Sequence, residues 1–489
     1  MGSLQTNPFP LEGLAGVDLP RDLEIAIQRL TGPGKFVNVV GKGWPWGHYV
    51  EAYGARGDYD PSTGAGTDDT VAIQAAITAA QSGTNGSNMV VFKGKNYKIT
   101  NTLVVTPTSQ YGIQLVGTPG DMGDKTSNTT NGTRIFNTTA SNTAIQFVAT
   151  GAFGSPAGRV CIQARDFGVV SKNNDGLYGI QLGTENGLEL DGFGKSYFDH
   201  VYTDGFTIGF RIRDCRAFEF RSCVSRAQSV TGARGVSIAT SNNTLFTGDI
   251  RFYNCEFEVK IGDTTGFCCI IATLVNIGAS GGFGRTGGIH FQDCDFYYGK
   301  AAAYIAANHT APLGDLFFNQ CAFEGDGTAA TYRVWIETNV ANSYIHNVGI
   351  QNSYFYNSPE GLYCVSNNGL IDSLRVANCY FLQCSTGAVN VDDIENFSIT
   401  GNTAVRCGSD TANHVVYRIQ NACKHFTVTG NTHKEDFEGT TGRTCGWIVK
   451  IDHTTADDFT VIGNAGQCLT AAVGNASVGT FAVANNVRV

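Results

Sequence analysis

A nine-residue pattern recurs through the second half of the chain and restricts it to a repeat architecture. It reads FEFRSCVSR (218–226), IRFYNCEFE (250–258), IHFQDCDFY (289–297), LFFNQCAFE (316–324), VGIQNSYFY (348–356), LRVANCYFL (374–382), FSITGNTAV (397–405), FTVTGNTHK (426–434) and FTVIGNAGQ (459–467). Its sixth column holds Cys223, Cys255, Cys294, Cys321, Ser353, Cys379, Asn402, Asn431 and Asn464. Successive copies lie between 23 residues (379 to 402) and 39 residues (255 to 294) apart, so the period is loose while the motif is kept. Apolar residues alternate with polar ones inside each copy, which is the period of a strand with one face buried.

Another strand-like run follows most copies, as in GVSIATSN (235–242), AYIAANH (303–309), VWIETNV (334–340) and VKIDHTT (449–455). Two or three short strands per repeat of about 30 residues are too few for a propeller blade, which needs four strands in about 40 or more. They fit one coil of a solenoid, each coil stacking on the next so that equal columns form ladders. The fold class expected is all-β, a right-handed parallel β-helix capped by a short N-terminal α-helix. The cap is TDDTVAIQAAITAAQ (67–81), with Asp68 or Asp69 at the N-cap and Val71, Ile73, Ala76 and Ile77 as its apolar face. The expected organisation is an N-terminal arm over 1–49, capping helix and first coils over 50–110, β-helix body over 111–470 and closing strands over 471–489.

Composition removes several alternatives. A formal net charge of -9 with no Lys/Arg-rich run leaves no electrostatic footprint for nucleic acid. No stretch of about 18 apolar residues occurs and the N-terminus lacks a basic start followed by an apolar core, so neither membrane insertion nor a signal peptide is expected. The 15 cysteines are odd in number and sit mostly inside strands without the spacing of a zinc site. They read as reduced core thiols of a protein made in the cytoplasm, and no cofactor or metal is expected.

If the sixth column points inward, the seventh and ninth share one solvent-facing wall. The seventh runs Val224, Glu256, Asp295, Ala322, Tyr354, Tyr380, and the ninth Arg226, Glu258, Tyr297, Glu324, Tyr356, Leu382. Stacking makes Glu256 and Asp295 lateral neighbours at about 5 Å, and Asp295 and Glu324 diagonal neighbours at about 8 Å. Retaining and inverting glycosidases separate their two carboxyl groups by about 5–5.5 Å and about 6.5–9.5 Å respectively. Carboxylates this close cannot all ionise freely, so one should keep its proton at neutral pH. The candidate catalytic residues are therefore Glu256, Asp295, Glu324 and Glu258, with Tyr297, Tyr298, Tyr354, Tyr356, Tyr380 and Arg226 as substrate-binding residues. A lyase must stabilise an enolate with a cation, and Arg226 alone stands at one end of this wall, so hydrolysis is the better match. A β-eliminating lyase and a non-catalytic glycan adhesin are the alternatives.

Weaker candidates carry bland explanations. Asp326 lies in a GDG turn, and Glu337, Asp392 and Asp452 share a column on non-adjacent coils, so that a groove between subunits would be needed. His200, His290 and His309 lack ligand spacing. Asp199, His200 and Asp204 cluster on an early coil, while Glu185, Glu189 and Asp191 sit in a Gly-rich loop.

The stretch VEAYGARGDYDPSTGAGTDDTVAIQAAITAA (50–80) resembles the N-terminal signature of the pectate-lyase-like superfamily, with a YDPSTGA insertion in its aspartate-rich loop. Together with the coils, residues 50–489 are similar to bacteriophage tailspike polysaccharide depolymerases. That resemblance implies a homotrimer on a phage virion tail, acting extracellularly on a bacterial polysaccharide such as capsule, exopolysaccharide or O-antigen.

Overall fold

A computed structural model describes residues 47–488, apart from 83–86, 108–111, 121–124, 127–130, 150–159, 184–187, 228–229, 242–243, 275–284, 328–331, 409–413, 435–444, 469 and 478–480. Most of the expected N-terminal arm lies outside the described residues. Every strand pairing among the described residues is parallel, and the chain winds as a parallel β-helix. A typical coil has a first strand (Phe246–Tyr253), a corner, a short second strand (Glu256–Val259) and a third strand (Phe267–Thr273). Each pairs in register with its equivalent one coil on, at Arg285–Gln292, Asp295–Tyr297 and Ala301–Ala307.

The corner explains the fifth column of the motif. Ser222, Asn254, Asp293, Gln320, Asn352 and Asn378 all have φ between 48° and 55°, and Gly401, Gly430 and Gly463 continue the series at 66° to 70°. The left-handed region costs an ordinary L-residue about 1–2 kcal/mol and is cheapest for Gly, Asn and Asp. Asn254→Val is expected to destabilise the protein by about 1–2 kcal/mol in a denaturation experiment, whereas Asn254→Gly leaves the midpoint close to wild type.

Immediately after the corner, the sixth column turns inward. Cys255, Cys294, Cys321 and Cys379 are at most 2% exposed, and their thiols reach carbonyls of the preceding coil at 3.5 to 3.6 Å. Where Asn replaces Cys, a buried amide ladder appears. Asn431 Oδ1 accepts from both the backbone N–H and Nδ2 of Asn402 at 2.9 Å, and Asn431 Nδ2 donates to Asn464 Oδ1 at 2.9 Å. Phenylalanines build parallel spines beside it. In one of them Phe198, Phe220, Phe252, Phe291 and Phe318 stack at 5.0, 4.7, 4.6 and 4.9 Å, the spacing of the strands themselves.

The cap is helix α1 (Thr70–Ser82). Asp68 Oδ1 accepts the Thr70 N–H at 3.1 Å, while the Asp69 carboxylate accepts the Arg56 and Gly57 N–H groups of the preceding turn at 2.7 and 3.1 Å. Ile73, Ala76, Ile77 and Ala80 are fully buried. Val71, expected on that face, is 81% exposed, because two residues along a helix point to nearly opposite sides. At the far end Ala471–Asn475, Phe481–Ala484 and Val487–Arg488 continue the three stacks. Among the described residues no helix is long and apolar enough to cross a membrane.

Candidate active site on the second-strand face

The second strands set two outward columns side by side. The first runs Tyr202, Val224, Glu256, Asp295, Ala322, Tyr354, Tyr380, and the second Asp204, Arg226, Glu258, Tyr297, Glu324, Tyr356, Leu382, each residue paired with the next. Glu256 and Asp295 are thus lateral neighbours, and Asp295 and Glu324 sit diagonally on adjoining coils. The inward residues Phe257, Phe296 and Phe323 are fully buried, so the acids stand on a rigid aromatic floor.

At one end the charges are paired. Arg226 Nη2 meets Glu256 Oε1 at 2.8 Å and Arg226 Nε meets Glu258 Oε2 at 3.1 Å, one guanidinium bridging two carboxylates. In the middle they are not. Among the described residues no donor contacts the carboxylates of Asp295 or Glu324. Burial, and then the charge of Glu256, push the Asp295 carboxyl above its usual range. Burial, and then Asp295, do the same to Glu324. Tyr297 stands among these acids, and burial together with Asp295, Glu324, Glu256 and Glu258 pushes its phenol up to about 12, so it remains a neutral donor. Beyond the acids Tyr354 lies 6.1 Å from Tyr356 and 5.8 Å from Tyr380, centroid to centroid.

Tyr298 does not share these columns. Its φ of 70° puts it in the turn after the strand, where it neighbours Glu258 and Glu324 from the side. Asp204, expected to cluster with Asp199 and His200, instead heads the second column beside Arg226. It forms an ion pair with Lys125 at 2.6 Å and accepts from the Tyr202 hydroxyl at 3.1 Å. The signal was present: FDHVYTD aligns with the motif once His200 is placed at the corner, where its φ is 50°. His200 itself pairs with Asp199 at 3.1 Å away from this wall.

The other candidates have structural roles. Asp326 accepts the Gly262 N–H at 2.6 Å. Glu189 and Asp191 grip Arg216 at 2.8 and 2.9 Å, and Glu185 lies outside the described residues. The His290 ring lies 4.9 Å from that of Phe317, tilted by 33°, and the His309 N–H donates to the Thr273 hydroxyl at 3.1 Å. Glu337 and Asp392 share a column on the third-strand face, separated by Val365, and Gln420 follows Asp392 in it, while Asp452 pairs with Arg418 and Lys450 at 3.5 and 2.7 Å.

No family model matches the sequence, and no curated protein matches it either. Solved structures do. Tailspike protein 3 of bacteriophage CBA120 matches with a TM-score of 0.53 at 13% identity, over 88% of this chain and 60% of that one. The chain therefore spans about three-fifths of that tailspike's length. The catalytic domain of a GH87 alpha-1,3-glucanase gives a TM-score of 0.49 at 10% identity, over 82% and 67% of the two chains. The A-module of the Azotobacter vinelandii mannuronan C-5 epimerase AlgE4 gives 0.48 at 12%, over 90% and 99%. The likeness to the tailspike establishes the fold: this chain is a parallel β-helix of the kind found in phage tailspikes.

Proposed function

We propose that the protein is a tailspike-like depolymerase that hydrolyses glycosidic bonds in a bacterial surface polysaccharide. The observation that carries this reading is the stacking of Glu256, Asp295 and Glu324 on three successive coils, with tyrosines continuing the same wall. In the proposed step Asp295, held protonated beside the ion-paired Glu256, donates its proton to the glycosidic oxygen as the carbon–oxygen bond breaks. Glu324 takes a proton from the water that attacks the anomeric carbon from the opposite side. The diagonal separation of about 8 Å leaves room for that water and matches an inverting outcome. Arg226 is already engaged by two carboxylates, which makes it a poor partner for the enolate of a lyase.

A general acid works only while protonated, so activity falls as pH rises through its pKa. Glu256→Gln removes the negative charge that helps hold the Asp295 proton. The alkaline limb of the pH–rate profile should move to lower pH, measured as reducing ends released. A limb that stays in place would remove Asp295 as the acid. The homotrimeric state and location on a virion tail are part of the proposal, and light scattering of the purified protein should give three copies. The functional test itself is digestion of a panel of capsular and lipopolysaccharide preparations with mass spectrometry of the products.

A further inference from the structure

The third-strand face carries a constellation that the proposed hydrolysis does not use. Its outward columns run Tyr304, Trp335, Tyr363, Asn390, Arg418 and Ala306, Glu337, Val365, Asp392, Gln420. Rings lie close along it: Trp335 is 4.9 Å from Tyr304 and 5.2 Å from Tyr332, tilted by 50° and 54°, and Tyr332 stacks on Tyr363 at 4.6 Å. Lys300 Nζ sits 4.8 Å over the Trp335 ring, at the rim. Around the rings stand acids. Glu337 accepts from the Tyr304 hydroxyl and from Asn339 Nδ2, and Asn390 Nδ2 donates to Glu360 Oε1 at 3.3 Å.

Three polar atoms here are buried and bonded to nothing: Trp335 Nε1, Glu360 Oε2 and Asn390 Oδ1. Asn390 is only 7% exposed. Leaving such a group unmade costs about 1–3 kcal/mol, so each one calls for an explanation. Here the three occur on three successive coils of one face, beside half-buried aromatic rings. Burial also pushes the Glu360 carboxyl up to about 7, so near neutral pH it can donate as well as accept. A ligand that completes this set must offer both donors and acceptors on a body with apolar patches, which is the description of a sugar ring. Glu337 and Asp392 in the adjoining column disfavour an anionic one.

We propose that the third-strand face is a second glycan-binding site, for a neutral oligosaccharide, with Trp335, Tyr332 and Tyr363 as its aromatic side and Asn390 and Glu360 as its polar side. It goes beyond the hydrolase reading and does not depend on it, because the two faces use different residues. The test is an array of neutral and anionic bacterial oligosaccharides probed with the full chain carrying Asp295→Asn and Glu324→Gln, so that nothing is consumed. Binding to a neutral glycan is expected, weakened about tenfold or more by Trp335→Ala and by Asn390→Leu, and less by Trp335→Phe, which keeps the packing but loses the N–H. Unchanged thermal midpoints show that these variants fold. Signals that ignore all three substitutions, an array with no neutral-glycan signal, or a smaller oligomer on substitution would each overturn the proposal, the last by making this face a subunit contact. Hydrolysis by the unsubstituted protein is scored separately, so either reading can fail alone.

Discussion

Asp295→Asn and Glu324→Gln are each expected to lower polysaccharide cleavage by about a hundred- to ten-thousand-fold while glycan affinity stays close to that of the unsubstituted protein. Each substitution keeps the size and hydrogen-bonding reach of the side chain and removes only its ability to exchange a proton. The loss should therefore appear in kcat, with the binding constant measured separately by affinity electrophoresis. The double variant should be little worse than the weaker single one, because the two groups act in one proton-transfer cycle and their effects do not add. If the protein instead grips glycan without cutting it, both variants bind as before and no chain is shortened even by the unsubstituted protein.

The second large effect is on stability. Asn431→Ala should destabilise the β-helix by about 3–5 kcal/mol, read as a fall in the denaturation midpoint. Asn431 Oδ1 accepts two bonds from Asn402, and its Nδ2 donates to the Ile399 carbonyl and to Asn464. Truncation strands two buried donors of Asn402 in a site closed to solvent, since Asn402, Asn431 and Asn464 are all fully buried. Water cannot replace the lost acceptor without opening the stack.

Much of this architecture was legible because a solenoid writes its contacts into its repeat. Once Cys255 and Cys294 share a column, Glu256 and Asp295 must be lateral neighbours, and the pairing of the coils places them so. The same alignment run one coil earlier would have found Tyr202 and Asp204 at the head of the wall. What column counting could not supply was position off the columns. Tyr298 turns aside at a left-handed residue, and Val71 fails the helical period by sitting two residues from Ile73. The third-strand acids lie on non-adjacent coils, Val365 standing between Glu337 and Asp392. Glu360 escapes that count: it pairs with Tyr332 on the coil before, and on the coil after, where Asn390 donates to its carboxylate, the pairing shifts register between Ser358 and Glu360. A bulge of this kind follows from local packing and leaves no mark on the period.

In the proposed hydrolysis the carboxylates of the second-strand wall add water across a glycosidic bond. Digestion of a susceptible polysaccharide in water enriched in heavy oxygen, followed by mass spectrometry, tests it most directly. Each new reducing end should carry one heavy oxygen atom, and the same digestion with Asp295→Asn should yield almost none of these fragments. Fragments lighter by one water with an unsaturated end, or undiminished cleavage by the Asp295→Asn and Glu324→Gln variants, would contradict it.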